Sequence, residues 1–168
     1  MTTGGRVINS AHPWAGYVRP PDSAGPGSGA WPTANKAFYQ PIYIPESCTM
    51  THFVYYGDGA SGNVCMALYN SAGVRLVTTG SVAHVGGTSA HVIAANYSLD
   101  TGAYFIGCAM NNAAGSMFRY NASIQILRLA GCFQETSAFP LPTTATFAVM
   151  TVAYLPMAGI AIGTPVFS

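Results

Sequence analysis

The sequence predicts an all-β protein, an antiparallel β-sandwich of jelly-roll-like type with an extended N-terminal arm. Three observations predict this fold. From Phe38 onward, short β-prone runs alternate with turn signals about every eight to twelve residues. No segment has the periodicity of a long amphipathic helix. Residues 1–35 are too rich in Gly and Pro for regular structure. The chain has 168 residues, which is enough to bury one core without disulfides or metals.

The predicted strands lie between clusters of Gly, Asp, Asn and Ser, which tolerate positive φ or cap a turn. They cover 38–44, 49–56, 63–70, 75–82, 90–97, 102–110, 122–129 and 144–155, and a last strand is predicted near 159–166. Alternation along two of them assigns one face to the core. The predicted core residues are Val64, Met66 and Leu68 on one strand, and Tyr104, Ile106 and Cys108 on the other.

The predicted arm, residues 1–35, contains six Gly and five Pro residues and is set apart from a single domain at 36–168. It also contains Trp14, Tyr17 and Trp31, which are unusual in disordered tails and common as anchors at interfaces. We therefore expect the arm to dock on another surface. A disordered tail is the alternative.

The low charge of the chain predicts contacts with other proteins. Charged residues are 7% of the chain, against about 25% in a typical soluble domain. The six Lys and Arg residues are scattered one at a time, so binding of nucleic acid through phosphates is not predicted. After Glu135 the last 33 residues carry no charge. Such strands are either sandwiched between layers or covered by another chain. We favour another chain at 136–168, contacted by Phe147, Val149, Tyr154 and Leu155.

No residue pattern predicts catalysis, so we expect a protein that is not an enzyme. The candidate carboxylates for glycoside cleavage are Asp22, Glu46, Asp58, Asp100 and Glu135, and turn formation explains Asp58 and Asp100. Ser61 and Ser116 lie in predicted loops with no identifiable base, and no G-x-S-x-G motif is present.

No cofactor or metal site is predicted either. The candidate metal ligands among the histidines are His12, His52, His84 and His91. His84 and His91 lie close in sequence, but they have uncharged neighbours and no carboxylate or cysteine at ligand spacing, so they are interpreted as sheet-face or turn residues. The cysteines show no C-x-x-C pair and are interpreted as buried free thiols; they are Cys48, Cys65, Cys108 and Cys132. A secretory signal is not recognised, and the apolar stretch 144–163 is interrupted by Pro156 and Gly159, which favours strands over a membrane-spanning helix.

Residues 37–119 resemble a module that recurs in virion proteins of tailed bacteriophages. The likeness lies in NKAFYQPIYIPESCTMTHFVYY, GNVCMALYNSAGVRLVTTGSV and LDTGAYFIGCAM. It includes an aliphatic-Tyr strand, a short Gly turn into the next strand, and a Leu-x-x-Gly-x-Tyr turn; here these are Ala67-Leu68-Tyr69, Gly73-Val74-Arg75-Leu76 and Leu99-Asp100-Thr101-Gly102-Ala103-Tyr104.

The resemblance implies a β-sandwich, often in a trimer, on a phage particle. We therefore expect a structural virion protein, made in the host cytoplasm, that acts as a capsid decoration protein or a small appendage subunit. Its expected partners are its own copies, with a homotrimer favoured, and other virion proteins. The alternative is a glycan-binding adhesin module at a tail-fibre tip, because tyrosines are numerous. A weaker reading is a carbohydrate-binding module of cellular origin. Neither nucleic acid nor a membrane is an expected partner.

Overall fold

A computed structural model of the chain describes residues 27–87 and 90–162, together with the backbone of 6–9. The strands are β1 Arg6–Asn9, β2 Gly27–Ala30, β3 Ala37–Ile44, β4 Cys48–Tyr56, β5 Asn63–Asn70, β6 Arg75–Thr78, β7 Val82–Ala83, β8 Ala90–Leu99, β9 Gly102–Met110, β10 Ser116–Arg119, β11 Phe133–Glu135, β12 Ala148–Val149 and β13 Ala158–Ile162. The helix described is α1, Ile124–Leu129.

The strands form three antiparallel sheets. The largest has seven strands in the order β12-β11-β3-β9-β5-β6, with β7 also pairing with β5. A four-stranded sheet has the order β1-β13-β4-β8, and β10 pairs with β2 in a two-stranded sheet. The predicted all-β class is confirmed. The jelly-roll connectivity stays a prediction.

The four-stranded sheet packs on one face of the seven-stranded sheet, which we call the inner face. The buried cluster between them includes Leu68 and Ile106 from the large sheet and Phe53 and Ile160 from the small one. The six predicted core residues all lie in or against this cluster: Val64, Met66, Leu68, Ile106 and Cys108 are buried in it, and Tyr104 packs against it half-buried. Alternation predicts these faces because β5 and β9 are regular and have the predicted bounds.

The predicted strand at 122–129 is wrong, because residues 124–129 form α1. Ser123 caps the helix, its hydroxyl accepting a hydrogen bond from the amide of Ile126 at 3.3 Å. Ser is a favoured N-cap residue because its side chain satisfies an amide that the helix leaves free. Leu127 is the buried residue of α1, and its side chain attaches the helix to the core. The β-branched isoleucines favour a strand locally, but the cap and the burial of Leu127 override that preference.

The predicted strand at 144–155 is also wrong. Only Ala148–Val149 forms a strand there, and the rest of the stretch is irregular. The last predicted strand, near 159–166, corresponds to β13. It begins at Ala158, one residue before the predicted start, and its described part ends at Ile162. Residues 163–168 lie outside the described residues. The predicted strand at 75–82 is divided into β6 and β7.

Part of the predicted arm belongs to the domain. Arg6–Asn9 pairs with Ile162–Gly159 at the edge of the four-stranded sheet, and Gly27–Ala30 pairs with Arg119–Ser116. The rest of the arm up to residue 26 lies outside the described residues, as do Trp14 and Tyr17.

Candidate interface

The outer face of the seven-stranded sheet carries small residues and two tyrosines. Tyr39 and Tyr69 lie edge to face with ring centroids 5.4 Å apart. Between them lies Gly107, where an added Cβ would stand 3.0 Å from a carbon of each ring. Ala67 and Ala109 are fully buried beside the rings. Small residues are required here because the tyrosine rings occupy the space above them.

Residues 138–147 cover one end of this outer face, and we call them the covering segment. The buried apolar residues on this face form a second cluster, which we call the outer cluster. Ala138 and Leu141 are buried in it, and Phe147 packs against it. The segment belongs to the stretch that we expected another chain to cover. For Ala138 and Leu141 this expectation is wrong, since both are buried on the sheet of their own chain, whereas Phe147 packs there half-buried.

Side chains of the sheet hold the irregular backbone of the covering segment in place. The guanidinium of Arg75 donates to the carbonyl of Leu141 at 2.5 Å, and the hydroxyl of Tyr69 donates to the carbonyl of Pro142 at 2.8 Å. The Glu135 carboxylate accepts the amide of Thr146 at 3.0 Å and the hydroxyl of Tyr39 at 2.7 Å. Burial raises the pKa of both tyrosines, and Glu135 raises that of Tyr39 further. Both hydroxyls therefore remain protonated donors.

Two more arginines donate to carbonyls beyond the covering segment. Arg128 donates to Met150 at 2.9 Å and Arg119 donates to Ala153 at 3.2 Å. Buried or half-buried backbone needs hydrogen-bond partners, and an irregular chain does not supply them to itself. An uncharged C-terminal stretch is thus held by cations from the rest of the domain.

The described residues leave the other end of the outer face partly exposed. Phe105, Phe133 and Phe147 are half-buried, with ring centroids 4.6 to 5.8 Å apart. Val149 lies opposite Phe133 in the register of β11 and β12 and is 57% exposed. Tyr43, two residues beyond the partner of Phe105 on β3, is 44% exposed. We call these five residues the open end. None of them is charged.

The open end contains two of the seven residues predicted at an interface, Phe147 and Val149. Three others are buried within the chain, so their predicted interface role is wrong: Trp31 is 1% exposed, Tyr154 is 4% and Leu155 is 2%. Trp31 and Tyr154 cannot anchor a partner protein, because each is packed in the core of its own chain. Their rings meet at 5.3 Å, and the Tyr154 hydroxyl donates to the carbonyl of Gly29.

Sequence reasoning missed Tyr43, Phe105 and Phe133. The signal that could have found them is alternation: Phe105 lies between the core residues Tyr104 and Ile106, so its side chain must be on the opposite face. The sequence does not show how far the covering segment extends along that face. The segment's path decides which of the outward rings stay exposed.

Three of the candidate catalytic residues, Asp58, Ser116 and Glu135, are engaged in structural hydrogen bonds. The Asp58 carboxylate accepts the hydroxyls of Ser28 at 2.5 Å and Ser116 at 2.9 Å, and these bonds lower its pKa. The hydroxyl of Ser116 also accepts the amide of Gly59 at 2.7 Å. Ser116 therefore donates to a weakly basic carboxylate, which does not make it a nucleophile. Asp58 and Glu135 belong to separate sets of hydrogen bonds.

Two further predictions concern metals and thiols. In the described part of the chain, no three His, Cys, Asp or Glu side chains are close enough to hold a metal ion. All four cysteines are free thiols, three of them buried. Cys65 belongs to the outer cluster and Cys108 to the inner one, so the sheet separates them. Burial raises the pKa of the Cys108 thiol well above its usual range.

Within the described residues, no helix is both long and apolar enough to span a membrane.

Comparisons with protein-family models, with curated proteins and with solved structures found no significant match.

Proposed function

We propose that the chain is a structural, non-enzymatic component of a tailed-phage particle that works through contacts between proteins. It acts as a capsid decoration protein or a small appendage subunit. The resemblance of residues 37–119 to virion modules suggests the particle. The observation that supports contacts with protein is the open end, where five uncharged apolar side chains form one partly exposed surface.

The occupant of the open end is a second copy of this chain. A surface without charges can be buried against an identical surface without leaving an unpaired charge, which is the main penalty in such contacts. Most soluble oligomers are symmetric assemblies of one chain. Three copies around an axis can bring the open ends together, and a trimer is the state that the resemblance favours.

The internal use of charged side chains supports this proposal. Arg75, Arg119 and Arg128 donate to backbone carbonyls of their own chain, and Asp58 and Glu135 accept hydrogen bonds within it. Lys36 is only 8% exposed. The formal net charge of the chain is +1, so a monomer has little charge repulsion to keep copies apart at neutral pH.

The glycan-binding alternative has less support at this surface. Sugar sites combine exposed rings with polar groups that fix the orientation of the ligand. Beside the open end, the carboxylate of Glu135 and the hydroxyl of Tyr39 already bond to one another. Three of the four rings of the open end are half-buried phenylalanines, which offer no hydrogen bond of their own, and the fourth is Tyr43.

The test is the oligomeric state of the protein and of two lysine variants. Light scattering at micromolar concentration should show a multimer for the natural chain. Val149→Lys places a charge on the open end and should weaken association by about tenfold or more, as expected for a charge buried without a partner. Val92→Lys is the matched control, because Val92 is 45% exposed on the four-stranded sheet.

The result that contradicts self-association is a stable monomer of the natural chain, or equal weakening by the two variants. Immunolabelling of purified phage particles tests the location separately. Binding to a glycan array together with a monomeric state would favour the adhesin alternative. Cleavage of a polysaccharide that disappears with Asp58→Asn or Glu135→Gln would contradict a non-enzymatic role.

A further inference from the structure

Two histidines lie against one buried tyrosine at an end of the sandwich. Tyr55 on β4 faces His91 on β8 in the register of the two strands, and their ring centroids are 5.2 Å apart. His84, in the loop that follows β7, approaches the same tyrosine at 5.5 Å. Both imidazoles are tilted by about 35° from the tyrosine plane. We call the three rings the His-Tyr-His stack.

The His84 imidazole and one ring nitrogen of His91 are buried without a polar partner among the described residues. His84 is 5% exposed, and neither of its ring nitrogens hydrogen-bonds to any group of the described residues. The same holds for Nε2 of His91 within that part of the chain. A neutral imidazole carries one N–H, whereas the protonated form carries two and a positive charge. Placing that charge in a buried site with no acceptor is strongly unfavourable.

The stack joins three loops, residues 57–62, 84–87 and 111–116. The amide of His84 donates to Gly62, that of Gly87 donates to Asp58, and that of Ser116 donates to Gly59. The hydroxyl of Tyr55 accepts the amide of Val85 at 3.0 Å. The positions of the rings therefore determine whether the loops stay together.

The rings have little freedom to move within the closed arrangement. A Cβ added at Gly57 would stand 3.1 Å from Nε2 of His91, and one added at Gly115 would stand 3.2 Å from Nδ1 of His84. Backbone therefore lies directly against both imidazoles. Because His84 is 5% exposed, its protonated ring can reach water only if the loop that carries it moves away from its neighbours.

The other titratable groups around the stack do not neutralise an added proton. Tyr55 and Cys108, from β4 and β9, both have a raised pKa because they are buried, and both stay neutral near pH 7. Asp58 is the one carboxylate of the three loops, and it already accepts two serine hydroxyls. Arg119 on β10 is a cation and donates to Ala153.

We propose that the His-Tyr-His stack is a pH-sensitive joint, closed while the His84 imidazole is neutral and opened when it is protonated. The proposal is independent of the proposed function. Burial lowers the pKa of His84, and His91 lowers it further. In the opened loops the pKa returns toward the ordinary value of 6.5. The open form thus binds more protons, so closure is complete above that value and is lost as the pH falls below it.

Amide hydrogen exchange tests the joint on the natural chain. We compare about pH 7.5 with about pH 5.5, after correction for the intrinsic effect of pH on exchange, because these values bracket the histidine range. Protection of the amides of His84, Val85, Gly87 and Ser116 should fall by up to about tenfold at the lower pH. The amides between β3 and β9 should keep their protection. Equal protection of the loops at both values would overturn the proposal.

Phenylalanine variants identify the responsible groups. His84→Phe and His91→Phe keep a flat ring but cannot be protonated, so the double variant should lose the pH effect. His52→Phe is the control, since His52 is half-buried and its Nδ1 lies 2.9 Å from the Thr51 hydroxyl. It should leave the effect intact. A pH effect that survives in the double variant would contradict the assignment.

If the double variant does not fold, measurements on the natural chain still test the proposal. Titration of the imidazole signals by NMR should show His84 gaining its proton together with the loss of loop protection. Protonation of His84 with the loops still closed would overturn the proposal.

Discussion

Both faces of the seven-stranded sheet are covered, the outer face only in part, and they are covered in different ways. The inner face lies under another sheet, and its residues are aliphatic or sulfur-containing, such as Leu68, Met66 and Ile106. The covered part of the outer face lies under an irregular segment, and its residues are alanines and tyrosines, such as Ala67, Tyr39 and Tyr69. A sheet satisfies its own backbone, so apolar side chains suffice beneath it. The irregular covering segment has backbone carbonyls without a strand partner, so it needs hydrogen-bond donors from the sheet. The tyrosine hydroxyls and Arg75 supply them.

The comparison implies that the two faces fail differently under substitution. On the inner face, loss of volume is the dominant effect, because the contacts are apolar. On the outer face, space and hydrogen bonds dominate, because rings lie on small residues and their hydroxyls bond to the cover. Three substitutions, from the largest expected effect to the smallest, test this difference.

The largest effect is expected for Leu68→Ala on the inner face. Leu68 is fully buried, so its truncation leaves a cavity and should lower the free energy of unfolding by about 2–5 kcal/mol. Urea denaturation followed by tryptophan fluorescence measures the change. Leu129→Ala is the control, because Leu129 is 88% exposed on α1 and should change stability by less than about 0.5 kcal/mol. A small loss for Leu68→Ala would mean that the inner face is loosely packed.

The second effect is expected for Gly107→Ala on the outer face. The added methyl would lie 3.0 Å from ring carbons of both Tyr39 and Tyr69, so the rings must shift. Overpacking of this kind costs about 1–3 kcal/mol. Gly27→Ala is the control in another strand, since its nearest contact would be an ordinary 3.5 Å. If the two variants have the same denaturation midpoint, the tyrosines do not lie tightly on the sheet.

The smallest of the three effects is expected for Tyr69→Phe. The ring stays, but the carbonyl of Pro142 loses the hydroxyl that donates to it at 2.8 Å. An unsatisfied acceptor of this kind costs about 1–3 kcal/mol when it is buried, and less here because the bond is part-buried. Faster amide exchange in residues 138–147 should accompany the loss of stability.

Tyr104→Phe is the matched control for that variant. Its hydroxyl also donates to a backbone carbonyl, that of Asp100 at 3.0 Å, but at an exposed position where water can replace it. Its loss should be smaller than that of Tyr69→Phe. Equal losses would contradict the view that hydroxyls hold the cover on the outer face.

Sequence reasoning succeeded where strands are regular and failed where single side chains decide the path of the backbone. β5 and β9 have the predicted bounds because alternation and flanking turn residues agree there. α1 was predicted as a strand, because its isoleucines favour one and the cap at Ser123 went unrecognised. The stretch 144–155 has β-prone residues too, but its backbone bonds to side chains instead of a strand partner over most of its length.

The sequence predicts only part of the open end, because residue type does not show which chain covers a large ring. Apolar character at Phe147 and Val149 is visible in the sequence, and both lie at the open end. The burial of Trp31 and Tyr154 is not visible, since the two rings come together from positions more than a hundred residues apart. Residue type indicates that a large ring must be buried somewhere, but not whether its own chain or another one covers it.

The sequence by itself determined the all-β class, the alternation that divides β5 and β9 into two faces, and the shortage of charge. These properties depend on residue types at short spacing, which the chain carries before it folds. Only the tertiary structure decided what covers each face, because a cover comes from residues distant in sequence. It placed residues 138–147 on the outer face, used the few arginines to hold irregular backbone, and left Tyr43, Phe105, Phe133, Phe147 and Val149 partly exposed.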